Sequence, residues 1–275
     1  MKAGRATPAP GAEPVQGRGR CGRMAGRGRP AMLRLFAVLV TLLPPGPALA
    51  AEGPGCGAPE ALLRAPALPA TATGILTGRL NVLAVGSASV TGAGVSSPAA
   101  AWPARLEALL RERRPDIALR FEVRGARGST AADQWRVIEQ ALREGQPDLV
   151  LWQVGMTETV RGLPIEDMAE VIAEGIARLS ARGVDVVLMD IQFSRFLRAN
   201  AEVAPYRDTL RLLAATGDAA FFPRYDIMAA WAEAGTVDVE RAPRARRTAE
   251  IDRLNDCLAR ALAVFLRNGV AQARQ

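Results

Sequence analysis

The chain has 275 residues, of which 49% are hydrophobic, with a formal net charge of +7 and no histidine. This length accommodates one domain with a sizeable core, and the missing imidazoles exclude the usual histidine-containing sites of first-row transition metals. The entire net charge lies in the first 34 residues, where eight basic residues outnumber one acidic residue, so the rest of the chain is about neutral and gives no reason to expect a nucleic-acid partner.

The N-terminal part of the chain has the features of a secretion signal. A Gly-, Arg- and Pro-rich stretch leads to a basic segment, an apolar run at 35–43 and an Ala-x-Ala site that ends at Ala50. The run is too short to span a bilayer. We expect residues 1–50 to be an over-long N-terminus and signal peptide, with the true start at Met24 or Met32 and cleavage after Ala50. Export would be to the periplasm or the outside, with no stable membrane span; an uncleaved anchor is the alternative.

Residues 51–78 are rich in Ala, Pro and Gly without a clear period and are interpreted as an irregular tail. From 79 to 268, short apolar runs alternate with helical patterns, and 269–275 forms a C-terminal tail. The predicted strands are 80–85, 117–123, 149–154, 184–191 and 220–222, and the predicted helices are 102–115, 130–144, 164–182, 201–215 and one centred on 254–265.

Continuous apolar runs are typical of strands that are buried on both faces. Together with the alternation of strands and helices, they predict an α/β fold: a three-layer α/β/α sandwich around a parallel, flavodoxin-like five-stranded sheet.

The chain has three cysteines, and only Cys56 and Cys257 follow the expected cleavage site. An even pair in an oxidising compartment predicts one disulfide, which would join the N-terminal tail to the last helix. Two buried free thiols are the alternative.

Three predicted strands end in glycine-bearing turns, at 86–94, 124–130 and 155–158. Such glycines can simply serve tight turns that need a positive φ. In a doubly wound sheet, however, ligands bind beyond the carboxyl ends of the strands. Neither a dinucleotide-binding G-x-G-x-x-G nor a P-loop lysine occurs there, so no cofactor is expected. The predicted cleft is lined by Gly86, Ser87, Ser89, Gly128, Gly155, Thr157, Glu158 and Gln192.

The order of these turns, with VGSASVTGAGVSSPAAAWPARLEALL at 85–110, PDLVLWQVG at 147–155 and CLARAL at 257–262, resembles the sequence blocks of the SGNH/GDSL hydrolase superfamily. The likeness is to a bacterial group whose first block reads G-S-S-S-T-E-G-A-G, and it covers nearly all of 80–265. It implies the SGNH hydrolase fold and carboxylic ester hydrolysis.

The resemblance also identifies the positions at which the family carries its chemistry. The nucleophilic serine corresponds to Ala88, and the catalytic Asp and His correspond to Arg246 and Ala249. The oxyanion-hole glycine is retained as Gly128, but the oxyanion-hole asparagine is replaced by Thr157. Only Gly128 therefore keeps a residue that defines the family.

A serine hydroxyl attacks an ester only when a base accepts its proton, and His or Lys normally does so. The chain has no His, and its one Lys is Lys2. A carboxylate of ordinary pKa, near 4, is a weak base for this step, and loss of a triad member costs about four orders of magnitude in rate. The fallback nucleophiles are Ser87 and Ser89, and the fallback bases are Glu158, Asp190 and Asp226.

The sequence thus predicts an exported, catalytically inactive SGNH-like domain whose cleft binds an acylated saccharide, a small ester or an envelope protein. No metal is expected, although carboxylates can bind calcium weakly. A divergent esterase that uses Ser87 or Ser89 is one alternative, and a structural or assembly protein with a vestigial cleft is another.

Two further features have competing interpretations. The arginine-rich stretch at 241–247 could bind a carboxylate or a phosphate, or it could be a solvated run of charges. The solvated run is the favoured interpretation. The tryptophans either stack on sugar rings or pack in the core, and their periodic spacing favours the core; they are Trp102, Trp135, Trp152 and Trp231.

Overall fold

The computed structural model describes residues 55–275, so the expected signal peptide and its cleavage site lie outside the described residues. Five parallel strands form one sheet in the order β2-β1-β3-β4-β5. The predicted α/β fold with a flavodoxin-like parallel sheet is therefore confirmed. The strands are β1 (Arg79–Gly86), β2 (Ala118–Gly125), β3 (Leu149–Gln153), β4 (Asp185–Met189) and β5 (Ala220–Phe222).

Helices cover both faces of the sheet. They are α1 (Pro69–Leu76), α2 (Trp102–Arg113), α3 (Ala131–Glu144), α4 (Met156–Arg161), α5 (Ile165–Ser180), α6 (Arg195–Asn200), α7 (Val203–Thr216), α8 (Arg224–Glu233) and α9 (Arg247–Gln272). Short 3-10 turns occupy Glu60–Leu63, Pro98–Ala100 and Arg244–Arg246.

Alternate side chains of each strand point to opposite faces of the sheet, and both faces are buried. In β1, Leu80 and Val82 pack against α2, α8 and α9, whereas Leu83 and Val85 pack against α3, α5 and α7. Because neither face meets water, the strands carry continuous apolar runs, which is why the sequence pattern identified them.

The prediction of an irregular tail at 51–78 is wrong in part, because helix α1 begins at Pro69. The carboxylate of Asp185 accepts hydrogen bonds from the backbone N–H and the hydroxyl of Thr71, both at 2.7 Å. A tertiary contact thus fixes a helix that has little amphipathic pattern of its own. The expected tail at 269–275 is also shorter, because α9 continues to Gln272.

Cys56 and Cys257 form a disulfide with a Cα–Cα distance of 5.0 Å across 201 residues of sequence. The predicted pairing is present, and it joins the segment before the first 3-10 turn to the buried face of α9. Two hydrogen bonds hold the residues that follow Cys56 further along α9: Leu68 N–H donates to Gly269 O at 3.0 Å, and Asn268 Nδ2 donates to Leu63 O at 2.9 Å.

Within residues 55–275, none of the helices has both the length and the apolar character that crossing a bilayer requires.

Candidate functional site

The chain leaves β1 toward β2 on one side and returns to β3 on the other, so the strand order reverses between β1 and β3. Their carboxyl ends open onto a crevice, the usual ligand site of such sheets. A Cβ on Gly86 would lie 2.5 Å from Val90 Cγ2 and 2.9 Å from Gln153 Cβ. Only glycine therefore lets the loop after β1 fold across the end of β3.

The loops after β1 and β2 are joined at this edge. Gly86 and Gly125 are paired in register, and the hydroxyl of Ser129 donates to Gly86 O at 3.2 Å. Gly128 lies in the second loop with a φ of +76°, and a Cβ there would lie 2.9 Å from Arg161 Nη2. The first two predicted sequence blocks are thus neighbours in space.

The positions that correspond to the nucleophile and the oxyanion-hole asparagine also lie at this edge. Ala88 is half-buried in the loop after β1, and its carbonyl accepts from Thr91 Oγ1 at 2.9 Å and from Ala93 N at 3.0 Å. Thr157 is buried in α4, two residues after Gly155. Ala88 presents only a methyl group, so this position cannot supply a nucleophile.

The fourth block corresponds to the start of α9. Arg246 and Ala249 are exposed there, while the following turns contact the loop after β1. Asp252 Oδ1 accepts from Ser96 N, and Asn255 Oδ1 accepts from Trp102 N, both at 2.9 Å. The helix therefore packs against the first block, but it carries no imidazole.

The fallback serine Ser89 has one neutral and one cationic hydrogen-bond partner. Its hydroxyl donates to Gln153 Oε1 and accepts from Arg224 Nη1 at 3.2 Å. An amide oxygen is not a general base, so this hydrogen bond does not activate the hydroxyl. Ser87 is buried, and in the described part of the chain no carboxylate hydrogen-bonds to either Ser87 or Ser89.

Two of the three fallback bases are paired with arginines. The Asp190 carboxylate, fully buried, accepts from Arg207 Nε and Nη2 at 2.8–3.3 Å and from its neighbour Ile191 N at 2.9 Å. Burial raises the pKa of Asp190 to about 6, although Arg207 opposes that shift. Asp226 accepts from Arg207 and Arg211 at 2.7 and 2.8 Å. Both carboxylates therefore have partners other than a serine.

The third fallback base, Glu158, is buried and is hydrogen-bonded to the start of a helix. Its Oε1 accepts from Ala131 N at the start of α3, while its Oε2 has no hydrogen-bond partner in the described structure. A carboxylate near a helix N-terminus is stabilised by the exposed backbone N–H groups. Glu158 does not line the pocket described below.

Arg224 is a site residue that the sequence interpretation missed. It is the first residue of α8, directly after the Pro223 that follows β5, and it is 2% exposed. Its Nη2 donates to Gln192 Oε1 at 3.5 Å, and its Nε is buried without a partner. Burial lowers the pKa of Arg224 to about 10. The available signal was its position at the carboxyl end of a predicted strand, as for Gln153, which was also missed.

Arg224 lines a pocket of about 210 Å³, here called the Arg224 pocket. Its polar lining includes Ser89 and Gln192, both predicted cleft residues. Its apolar lining includes Met228 of α8 and Ile251, Leu254 and Leu258 of α9. The structure thus brings Gln192, from the loop after β4, into one site with the loop after β1.

The competing interpretations of the tryptophans and arginines can be compared with the structure. All four tryptophans are at most 7% exposed, so a sugar-stacking platform is wrong and core packing is confirmed. The arginines of 241–247 are exposed, and Arg241 lies 3.7 Å from Asp238, as in a solvated charge run. Among residues 55–275, no group of three or more His, Cys, Asp or Glu side chains is placed to hold a metal ion.

The parallel sheet and its strand-end loops define an SGNH-type, esterase-like α/β domain. A family model confirms this assignment: the chain belongs to the Non-GDSL lipase-like family, whose model matches residues 55–272. No curated protein matches the chain.

Solved structures with the same fold include two esterases. Axe2, an acetylxylan esterase from Geobacillus stearothermophilus, is 17% identical, with a TM-score of 0.53 over 69% of this chain and 93% of Axe2. The psychrotrophic esterase EstA from Pseudoalteromonas sp. is 15% identical, with a TM-score of 0.52 over 68% of this chain and 99% of EstA. At these identities the likeness concerns the fold alone.

Proposed function

We propose that the protein is an exported SGNH-type domain that no longer hydrolyses esters and uses its strand-end cleft to bind a ligand. The observation that carries the proposal is the hydrogen bonding of Ser89. Its proton is donated to the neutral amide oxygen of Gln153, and its oxygen accepts from a guanidinium. A hydroxyl in this arrangement has no base to accept its proton.

The other positions of the cleft support the same conclusion. Ala88 has no hydroxyl, Thr157 has no amide to donate to an oxyanion, and Ala249 has no imidazole. Removal of triad members reduces hydrolysis by about four or more orders of magnitude even when the oxyanion hole is intact. Retention of Gly128 alone is therefore compatible with residual turnover at most.

The proposed ligand is an acylated saccharide or a small ester, and an envelope protein is a further partner. The ligand class is suggested by the fold shared with Axe2, an acetylxylan esterase. The signal-like N-terminus and the disulfide support export, because disulfides persist in oxidising compartments.

An activity-based probe tests the loss of catalysis. The purified protein is incubated with a fluorophosphonate and, separately, with p-nitrophenyl acetate and butyrate. We expect no covalent adduct by mass spectrometry and the same ester turnover as in the Ser89→Ala variant. An active SGNH esterase treated in parallel serves as the positive control. An adduct on Ser87 or Ser89, with turnover that the corresponding alanine variant loses, would show a divergent esterase instead.

A further inference from the structure

The Arg224 pocket contains a buried cation without a carboxylate partner. In the described part of the chain, no ion pair joins the Arg224 guanidinium to an acidic side chain, and its hydrogen bonds go to two neutral oxygens, at 3.2 and 3.5 Å. Its Nε has no partner at all. A guanidinium offers five N–H donors, and a buried charge is costly unless it is paired. The site therefore lacks an acceptor, most of all an anionic one.

The acidic groups nearest to this pocket are bound elsewhere. Asp190 lowers the cost of burying Arg224 through its charge, but its oxygens accept from Arg207 and from the backbone. Glu240 lines the pocket, yet its two oxygens accept from Ser194 Oγ and from Arg195 N at the start of α6. Neither carboxylate bonds to the guanidinium.

The shape and lining of the pocket restrict the missing anion. A volume of about 210 Å³ is small for a binding pocket, since drug-sized ligands occupy pockets of about 300–1,000 Å³. A guanidinium presents a planar fork that matches a carboxylate. Ile251, Leu254 and Leu258 form an apolar wall of the same pocket, which favours hydrocarbon over a fully polar anion.

We propose that the Arg224 pocket binds a small organic monocarboxylate with a short hydrocarbon part. The carboxylate accepts from Arg224 beside Ser89 and Gln192, and the hydrocarbon packs against α9. This inference goes beyond the ligand class of the proposed function and rests on that function in one respect: it treats Ser89 as part of a binding site and not as a nucleophile.

The first experiment compares three probes on the purified full chain by calorimetry and thermal shift. Pentanoate has the proposed charge and size, pentanamide has the same shape without the charge, and acetate lacks the hydrocarbon. We expect pentanoate to bind at least about tenfold more tightly than either of the others, since charge-assisted hydrogen bonds are about twice as strong as neutral ones. Equal binding of pentanoate and pentanamide, or no binding of pentanoate up to about 10 mM, would overturn the proposal.

The second experiment locates the site. Arg224→Met removes the donors, whereas Arg113→Met removes an exposed arginine at the end of α2 and is the matched control. We expect pentanoate affinity to fall at least about tenfold in Arg224→Met and to stay unchanged in Arg113→Met. Unchanged affinity in a folded Arg224→Met protein would overturn the proposal.

If Arg224→Met does not fold, it is replaced by Arg224→Lys, which keeps the charge but not the planar set of donors of the guanidinium. The comparison of pentanoate with pentanamide tests the proposed carboxylate binding without any variant. Ester turnover measured on the same preparations separates the two proposals. Turnover would contradict the loss of catalysis whatever the pentanoate result, whereas absence of both turnover and pentanoate binding would contradict only the pocket assignment.

Discussion

Two buried charged residues at the carboxyl edge of the sheet, Asp190 and Arg224, have different surroundings. Asp190 is bound by Arg207, which also contacts Asp226. Arg224 has only neutral hydrogen-bond partners in the described structure. Removing one member of a buried pair is strongly destabilising, because it leaves the other charge uncompensated. Asp190 is thus a candidate determinant of stability, and Arg224 is a candidate determinant of binding.

The raised pKa of Asp190, about 6, predicts a pH-dependent stability. Between pH 4 and 6 the folded state holds a proton on Asp190 that the unfolded state has released, so the stability contributed by this group falls as pH rises through that window. The measured quantity is the free energy of unfolding of the wild type minus that of Asp190→Asn at the same pH. We expect this difference to decrease by about 2–3 kcal/mol between pH 4 and pH 7. Urea titrations at unit pH steps measure this difference, and a difference that rises with pH would contradict the burial argument.

The catalytic losses could be predicted from the sequence, but the new site could not. Ala88, Thr157 and Ala249 stand at fixed spacings within recognisable blocks, so their chemistry can be judged without coordinates. Arg224 acts through burial and through contacts with loops 135 and 32 residues away in the sequence. Its place at the carboxyl end of a predicted strand was a signal, but nothing in the sequence indicated that its side chain is buried.

At the scale of helices and strands, α1 shows how a tertiary contact can replace a local signal. Its first turn has a proline at the first helical position, which suits a helix start. The orphan N–H groups of that turn are satisfied by Asp185, from the start of β4. The Asp185 carboxylate thus performs the role of an N-cap across 114 residues of sequence.

Removal of this cap is expected to destabilise the protein. Asp185→Ala leaves the buried Thr71 N–H without its acceptor, so we expect a loss of about 2 kcal/mol in the free energy of unfolding. Hydrogen exchange should also become faster in the amides of α1. Asp116→Ala removes an exposed carboxylate paired with Arg114 and should leave the free energy of unfolding almost unchanged. Equal effects of the two variants would show that Asp185 does not act as the cap.

The predictability of each element follows from its length and burial. All five strands and the helices α2, α3, α5, α7 and α9 were predicted, because buried strands give apolar runs and long helices give a periodic stripe. The six-residue helices α4 and α6 are too short for a period to show. The buried residues of helix α8 lie on one face, but that stripe begins with the charged Arg224, and the opposite face carries Ala229 and Ala230. The contrast between the two faces was therefore too weak to mark a helix.

Within residues 55–275, the first described segment and the last helix lie on one face of the sheet. The segment before β1 and helix α9 share one apolar core with α2 and α8, and the disulfide lies between them. The Arg224 pocket is lined by α9 as well. The same helix thus carries the covalent closure of the domain and the apolar wall of its candidate binding site.

The disulfide is expected to be a large contributor to the stability of this domain. A bond that closes 201 residues restricts the unfolded chain, and chain-entropy models assign about 5 kcal/mol to such a loop. In a Cys21→Ser background, which removes the third thiol, reduction should lower the free energy of unfolding to that of a Cys56→Ala variant. Because Cys56→Ala has no disulfide to reduce, its own unfolding should not respond to the reductant. If oxidised protein and Cys56→Ala unfold at the same urea concentration, the bond between tail and last helix does not stabilise the fold.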